Sequence, residues 1–487
     1  MQVCVELDHL NRANCDELVR MEPTIDLVDL VAMLGPVPDR DRADWLARRL
    51  GTLIVDGRLP LGARLPSERA LADRLGLSRG TIVRGLEFVQ HRGLLSSRQG
   101  SGRAPRLPAG SPRPVESLAA RTTPVPDGTI DLRATVLPPH PELQRVAVDV
   151  AGEIGGDPAW GSVPADGLPE LVDAVCRHYA QRGLPTEPGQ VIITNGAVSG
   201  LHLALQAVSS PGDRIGIENP NYPNTVRVVR AARRRPVPLD VGADVPAPAR
   251  QHGAALTRAI DGGRLAAAFI TADFHNPTGA LLDADTRSRL FRAAARRDTA
   301  VVVDETLREQ NWRGRSLPAP DLDDRGTIIR VGSVSKTLWA GLRIGWIRTE
   351  PALADALSRI RLGVDLGAPI MEQRITAQLL PGLPTNGIPE VSQRLRAQYE
   401  TVAAGLTAKL PHWRWAEPDG GLSVWCTGLR RGADDLVAAA AGRGVALTAS
   451  ALFSPTGRGW SHAVRIPFSA PAWQLERAIT VLAELDG

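Results

Sequence analysis

Lysine is nearly missing from this chain of 487 residues: Lys336 and Lys409 stand against fifty-five arginines. Arginine serves wherever only positive charge is needed, so the lysines that remain raise a question of chemistry. An amine can shed its proton and attack a carbonyl, which a guanidinium cannot do at ordinary pH. Lys409 reads as a surface lysine. Lys336 sits in Ser333-Val334-Ser335-Lys336-Thr337-Leu338-Trp339-Ala340-Gly341-Leu342-Arg343-Ile344-Gly345, just after the apolar run 327–332, which reads as a strand. Flanked by Ser333, Ser335 and Arg343, it is the candidate nucleophile.

Cysteine is scarce too. Cys4, Cys15, Cys176 and Cys426 show no CxxC spacing, which argues against a metal site or a disulfide framework and for a reducing cytoplasm. No apolar run approaches the ~18–20 residues of a membrane span. Glu6, Asp8 and Asp16 break up the N-terminal apolar residues, so no secretion signal is expected. Aromatics make up 4% of the chain and tyrosines number three, so a tyrosine in a rigid loop, Tyr222, draws notice as a ring to stack on a planar ligand.

What is present is unevenly distributed. Residues 41–113 hold fourteen arginines against six acidic residues, a local +8 in a chain of net charge +4. Such asymmetry points to an anionic partner for that segment alone. Residues 1–40 read as an extension of uncertain role. In 41–103, Leu46, Leu50, Leu53 and Ile54 recur at helical spacing, Ser67 caps a second helix that Gly76 stops, and Ser78 caps a third. A strand and the glycine-rich tip Gln99-Gly100-Ser101-Gly102-Arg103 follow. Two short helices about a tight turn and then a hairpin describe a winged helix-turn-helix. Arg79, Thr81 and Arg84 lie on the exposed side of the third helix, with Arg79 and Thr81 near its start able to reach base edges, while Arg98 and Arg103 can meet phosphates. Gly85, inside that helix, costs ~1 kcal/mol relative to alanine without an evident reason.

This segment resembles the DNA-binding domain of GntR-type bacterial regulators. The residues that carry the resemblance are Gly62-Ala63-Arg64-Leu65-Pro66-Ser67-Glu68-Arg69-Ala70-Leu71-Ala72, Leu77-Ser78-Arg79-Gly80-Thr81 and Arg98-Gln99-Gly100-Ser101-Gly102. It implies double-stranded DNA as partner, contacted through Arg64, Ser67, Arg69, Ser78, Arg79, Thr81, Arg84, Arg98, Gly100 and Gly102.

Residues 104–127 carry six prolines and little apolar content, as a semi-extended linker would. From 128 to 487, strands and helices alternate as an α/β fold requires. Strands are expected at 190–194, 214–218, 266–271 and 300–303, and the turns after them carry the polar residues. In open α/β sheets ligands sit beyond the carboxyl ends of strands, which gives weight to Asp304-Glu305 after the last of these.

Five of these turns together resemble the fold type I pyridoxal-phosphate enzymes of the aspartate aminotransferase group. They are Asn195-Gly196-Ala197, Asn219-Pro220-Asn221-Tyr222, Asn276-Pro277-Thr278-Gly279, Val303-Asp304-Glu305 and Ser333-Val334-Ser335-Lys336 with Gly341-Leu342-Arg343. The resemblance implies a large, mostly parallel sheet with a smaller C-terminal subdomain. It implies pyridoxal 5′-phosphate held as an aldimine on Lys336, with Asp304 on the ring nitrogen, Asn276 on the 3′-oxygen and Tyr222 on the ring face. Gly196, Ala197, Val198, Ser333, Ser335 and Arg343 would hold the phosphate, and Arg465 in His462-Ala463-Val464-Arg465 would bind a carboxylate of an effector or substrate. Family members usually carry a tyrosine two or three residues after the Asp304 position. Here Thr306 and Leu307 stand there, which implies a lost donor to the 3′-oxygen and poor transamination. The neighbouring-subunit tyrosine is missing as well, and Trp160 is the nearest aromatic.

A GntR-like head, a linker and an aminotransferase-like body resemble the MocR subfamily of transcriptional regulators. That implies a cytoplasmic, domain-swapped homodimer that senses pyridoxal phosphate or a small amine or amino acid. The alternative is a working aminotransferase with an appended DNA-binding head.

Overall fold

In the computed structural model of the chain, the described residues are 24–55, 58–59, 61–98, 102–106, 125–154, 164–241, 249–319 and 327–487. The chain divides into two compact units, residues 1–113 and 114–487.

Among its described residues, the first unit, the head, packs four helices and a hairpin around one apolar cluster. Asp26 caps α1 (Leu27–Leu34) by accepting from the backbone N–H groups of Val28 and Asp29. Ile25, Leu30 and Leu34 join the cluster, so the described part of the N-terminal extension belongs to the head's core. In α2 (Arg42–Val55), Leu46, Leu50, Leu53 and Ile54 are buried as their spacing predicts. The Ser67 hydroxyl accepts from the Ala70 N–H at 3.2 Å to start α3 (Glu68–Leu75), and Gly76 ends it in the left-handed conformation. Ser78 caps α4 (Arg79–His91) through the Thr81 N–H at 3.1 Å. β1 (Leu95–Arg98) and β2 (Gly102–Pro105) form the antiparallel wing. Gly85 now has its reason. A Cβ there would lie 2.9 Å from Leu46 Cδ2 and 3.1 Å from the Ala43 carbonyl oxygen, so α2 and α4 approach too closely for any side chain.

The second unit, the body, is built on a seven-stranded sheet. After the short β3 (Ile130–Asp131) come β4 (Val191–Thr194), β5 (Arg214–Asn219), β6 (Arg235–Asp240), β7 (Ala267–Ile270), β8 (Ala300–Asp304), β9 (Ile328–Ser333) and β10 (Gly345–Arg348). Their order is β4-β10-β9-β8-β7-β5-β6, and among the described strands of this sheet only β10 runs antiparallel to its neighbours. Near-continuous apolar strands mean that both faces are covered. Val302, Ile329 and Val331 pack into one cluster, and Val301, Val303 and Ile270 into another. A smaller subdomain pairs β11 (Ser423–Thr427) with β13 (Ala463–Pro467), while β12 (Val445–Ala446) lies parallel to β3. Its core is a third cluster that includes Trp312, Tyr399, Trp413 and Phe468.

Candidate cofactor pocket and nucleic-acid interface

The carboxyl ends of the parallel strands open onto one cavity. Lys336, at the end of a short helical turn after β9, points its Nζ to the Thr135 carbonyl oxygen at 2.6 Å and to the Thr135 hydroxyl at 3.3 Å. Its own carbonyl accepts from Gln310 Nε2 at 3.0 Å, which fixes the backbone that presents the amine. Asp304 ends β8 and receives the Thr306 N–H at 2.9 Å. Burial pushes its carboxyl above the ordinary aspartate range, and neighbouring Glu305 adds to this against the opposing pull of Thr306 and Lys336.

Asn276 and Tyr222 line the same cavity. Tyr222 stands just before the helix Pro223–Ala231, and its hydroxyl accepts from Asn224 at 2.6 Å. The Asn276 Oδ1 and Thr306 Oγ1 atoms are buried there without a hydrogen-bond partner. Gly196 takes φ +78° and starts the helix Ala197–Val208, whose first two residues line the cavity. A Cβ on Gly196 would lie 2.9 Å from an Arg343 guanidinium nitrogen, and that guanidinium donates to the Asn195 carbonyl at 3.4 Å. The first N–H groups of a helix lack intrahelical partners and attract anions. Ala197 and Val198 at this helix start line the cavity together with Ser335 and the Arg343 side chain. Ser333 lines it too, with its hydroxyl donating to the Ile344 carbonyl and accepting from the Ser335 N–H. Arg465, on β13 and buried, donates to the Arg133 carbonyl at 2.7 Å and lies over the Phe453 ring at 5.0 Å.

Thus the five turns and Arg465 converge, although they span positions 195 to 465. The sequence reading missed the strap Arg133-Ala134-Thr135, which closes one side of the cavity, together with Thr448 and Phe453. None of these carries a motif. Trp160 lies outside the described residues.

The model described as aminotransferase class I and II matches residues 153–482. The chain belongs to that family. Bacterial regulatory proteins of the gntR family match residues 43–104, so the aminotransferase-like body carries a regulator's helix-turn-helix head, as in the MocR subfamily. The probable rhizopine catabolism regulatory protein MocR of Rhizobium meliloti is 30% identical over 65% of this chain and 66% of its own length. The pyridoxine biosynthesis transcriptional regulator PdxR of Corynebacterium glutamicum is 28% identical over 81% of this chain and 85% of its own. Among solved structures, the α-aminoadipate aminotransferase LysN of Thermus thermophilus superposes with a TM-score of 0.64 at 22% identity, covering 74% of this chain and 92% of LysN. Membership of the family implies pyridoxal 5′-phosphate as the cofactor. The residues present fit it: an amine, a carboxyl raised by burial, an amide whose oxygen has no partner, and a helix start beside a guanidinium share one cavity.

On the head, Arg64, Arg69, Arg79 and Arg84 are exposed. Glu68 lies 3.7 Å from Arg79 and 3.6 Å from Arg103, tying the start of α4 to the wing. Gly102 takes φ +84° against the Arg64 side chain. The Ser67 and Ser78 hydroxyls serve as helix caps, and Ser78 also bonds the Thr81 hydroxyl at 2.8 Å. The Arg98 side chain and Gly100 lie outside the described residues.

Proposed function

We propose that the protein is a DNA-binding transcriptional regulator whose body captures pyridoxal phosphate on Lys336 and responds to it or to a small amine or amino acid. The observation that carries this reading is the joining, in one chain, of a gntR-type head to a body whose Lys336, Asp304 and Asn276 share one cavity. When bound, pyridoxal phosphate supplies an aldehyde that captures amines and a ring that accepts electron density.

The chain's own residues do the rest. Lys336 presents an amine whose present acceptor, the Thr135 carbonyl, keeps it pointed into the cavity. Asp304 stands at the end of β8, where its carboxylate can hold the proton of a ring nitrogen. Ala197 and Val198, with Arg343, neutralise a phosphate. Arg465 brings a guanidinium to the cavity that a carboxylate can meet. In the head, Arg79 and Thr81 reach toward base edges, and Arg64, Arg69 and Arg84 toward phosphates. A homodimer would present two recognition helices to paired half-sites. A cytoplasmic location accords with this role; no described helix is long and apolar enough to cross a membrane.

The purified protein with added pyridoxal phosphate should show a visible absorbance band, and Lys336→Ala should lose it entirely. A wild type without the band sinks the cofactor reading. Binding to DNA upstream of its own or adjacent genes should weaken steeply with salt. The second reading, a working aminotransferase, rests on the same cavity. Sustained multiple turnover with a panel of amino acids and 2-oxoacids would move the assignment there.

A further inference from the structure

Two polar atoms of this cavity are buried without a hydrogen bond of ordinary length, Asn276 Oδ1 and Thr306 Oγ1, although the Thr306 side chain lies close enough to Asp304 to favour its carboxylate. The chain holds them in place firmly. The Thr306 N–H is bonded to Asp304 Oδ1, and the preceding residue, Glu305, is anchored on the other side of the strand by Tyr179, Arg182 and Arg330. A buried hydroxyl left unpaired is costly, so it marks the place where a ligand atom completes the bond. A hydroxyl rotates to donate, and the two ends of an amide are interchangeable in assignment, so both groups can donate to one acceptor. The acceptor that suits two donors lining one cavity with a lysine and a raised carboxyl is an anionic oxygen on the ligand.

The geometry points to Thr306 as a ligand-binding residue of this pocket, its hydroxyl donating, beside Asn276, to the oxyanion that the pyridoxal ring carries next to its aldehyde. This rests on the reading of the pocket as a pyridoxal phosphate site. It replaces the expectation that Thr306 and Leu307 leave that oxygen short of a donor: Leu307 does, and Thr306 does not. The rival role for the hydroxyl is Asp304, whose anion Thr306 also favours.

The experiment titrates the full-length wild type, Thr306→Val and Thr306→Ser with pyridoxal 5′-phosphate and with its 3-deoxy analogue, following tryptophan fluorescence. The pH midpoint of the visible band is recorded as well. A donor to the ring oxygen stabilises its anion and loosens that anion's hold on the neighbouring nitrogen's proton, so losing the donor raises the midpoint. Thr306→Val should weaken pyridoxal phosphate binding about tenfold and raise the midpoint by about one unit, as befits one charge-assisted bond. Thr306→Ser should keep both near wild type. With the 3-deoxy analogue, wild type and Thr306→Val should bind alike. Thr306→Ala carries the same comparison if the valine variant does not fold. Unchanged binding and midpoint in Thr306→Val overturn the assignment. A loss that persists in full with the 3-deoxy analogue also overturns it and gives the hydroxyl to Asp304. A wild type that binds neither compound overturns the reading of the pocket, and the role of Thr306 with it.

Discussion

Asp304 and Glu305 are neighbours at the end of one strand, and their side chains face opposite sides of it. Glu305 is buried and completed by the chain itself: it accepts from the Tyr179 hydroxyl at 3.0 Å and pairs with Arg182 at 2.9 Å and Arg330 at 3.1 Å. Against the cost of burial, those cations hold its carboxyl down to about 2. Asp273 is satisfied in the same way by Arg287 at 2.7 Å and Arg308 at 2.9 Å. Asp304 has no guanidinium against it among the described residues, and its carboxyl is pushed up. The contrast separates architecture from site. A buried carboxylate that finds its cations within the chain holds the fold together, while one displaced upward in a cavity is poised for a cationic partner from outside. Arg182, Arg330 and Tyr179 thereby also serve the pocket, since they pin the strand end from which Asp304 projects.

Breaking the completed side should have the largest effect. Arg182→Ala leaves Glu305 buried with one cation fewer, and removing a partner from a buried pair costs roughly 3–5 kcal/mol. Urea unfolding of the full chain should show the loss, and an unchanged midpoint would refute the structural role. The same pair has a pH signature. The folded carboxyl of Glu305 titrates at about 2 against an ordinary 4.5. Its contribution is therefore fully present above pH 4.5 and drains away as pH falls toward 2. Asp304 works with the opposite sign. Its raised carboxyl binds its proton more tightly when folded, so in cofactor-free protein it lowers stability as pH rises past the ordinary aspartate value of 3.8. Asp304→Asn should leave the cofactor-free fold as stable as wild type or more so near neutral pH. It should cost tenfold or more in pyridoxal phosphate affinity, about 1.4 kcal/mol per decade. A variant that unfolds readily yet binds normally would reverse the two roles.

Much of this contrast could not be read from the sequence. The five turns were legible because each follows an apolar strand run, and an α/β sheet gathers strand ends at one edge. Asp304 was legible on that ground, and so were Lys336 and Asn276. Glu305 was not, because its partners come from residues 179, 182 and 330, and no spacing links them. The strap residues Arg133 and Thr135 reach Arg465 and Lys336 across 332 and 201 positions through backbone carbonyls, which any residue could supply. In the head, the caps Ser67 and Ser78 were legible because capping is local. Gly85 was not, because its reason lies on α2.

The head repeats the contrast on a smaller scale. The Ser78 hydroxyl is satisfied within the chain, on the Thr81 N–H and hydroxyl, whereas the Arg79 side chain is 76% exposed. Arg79→Ala should leave thermal stability within the error of measurement, weaken DNA binding and relax specificity at the base pair it reads. Ser78→Ala should do the reverse. Losing the cap costs ~1 kcal/mol of head stability, and DNA affinity at a temperature well below unfolding should change little. Both quantities can be read on one preparation, by differential scanning calorimetry and by fluorescence anisotropy with an operator fragment. If Ser78→Ala loses as much affinity as Arg79→Ala while its stability holds, the hydroxyl belongs to the DNA rather than to the helix, and the distinction between completed and waiting groups fails at that position.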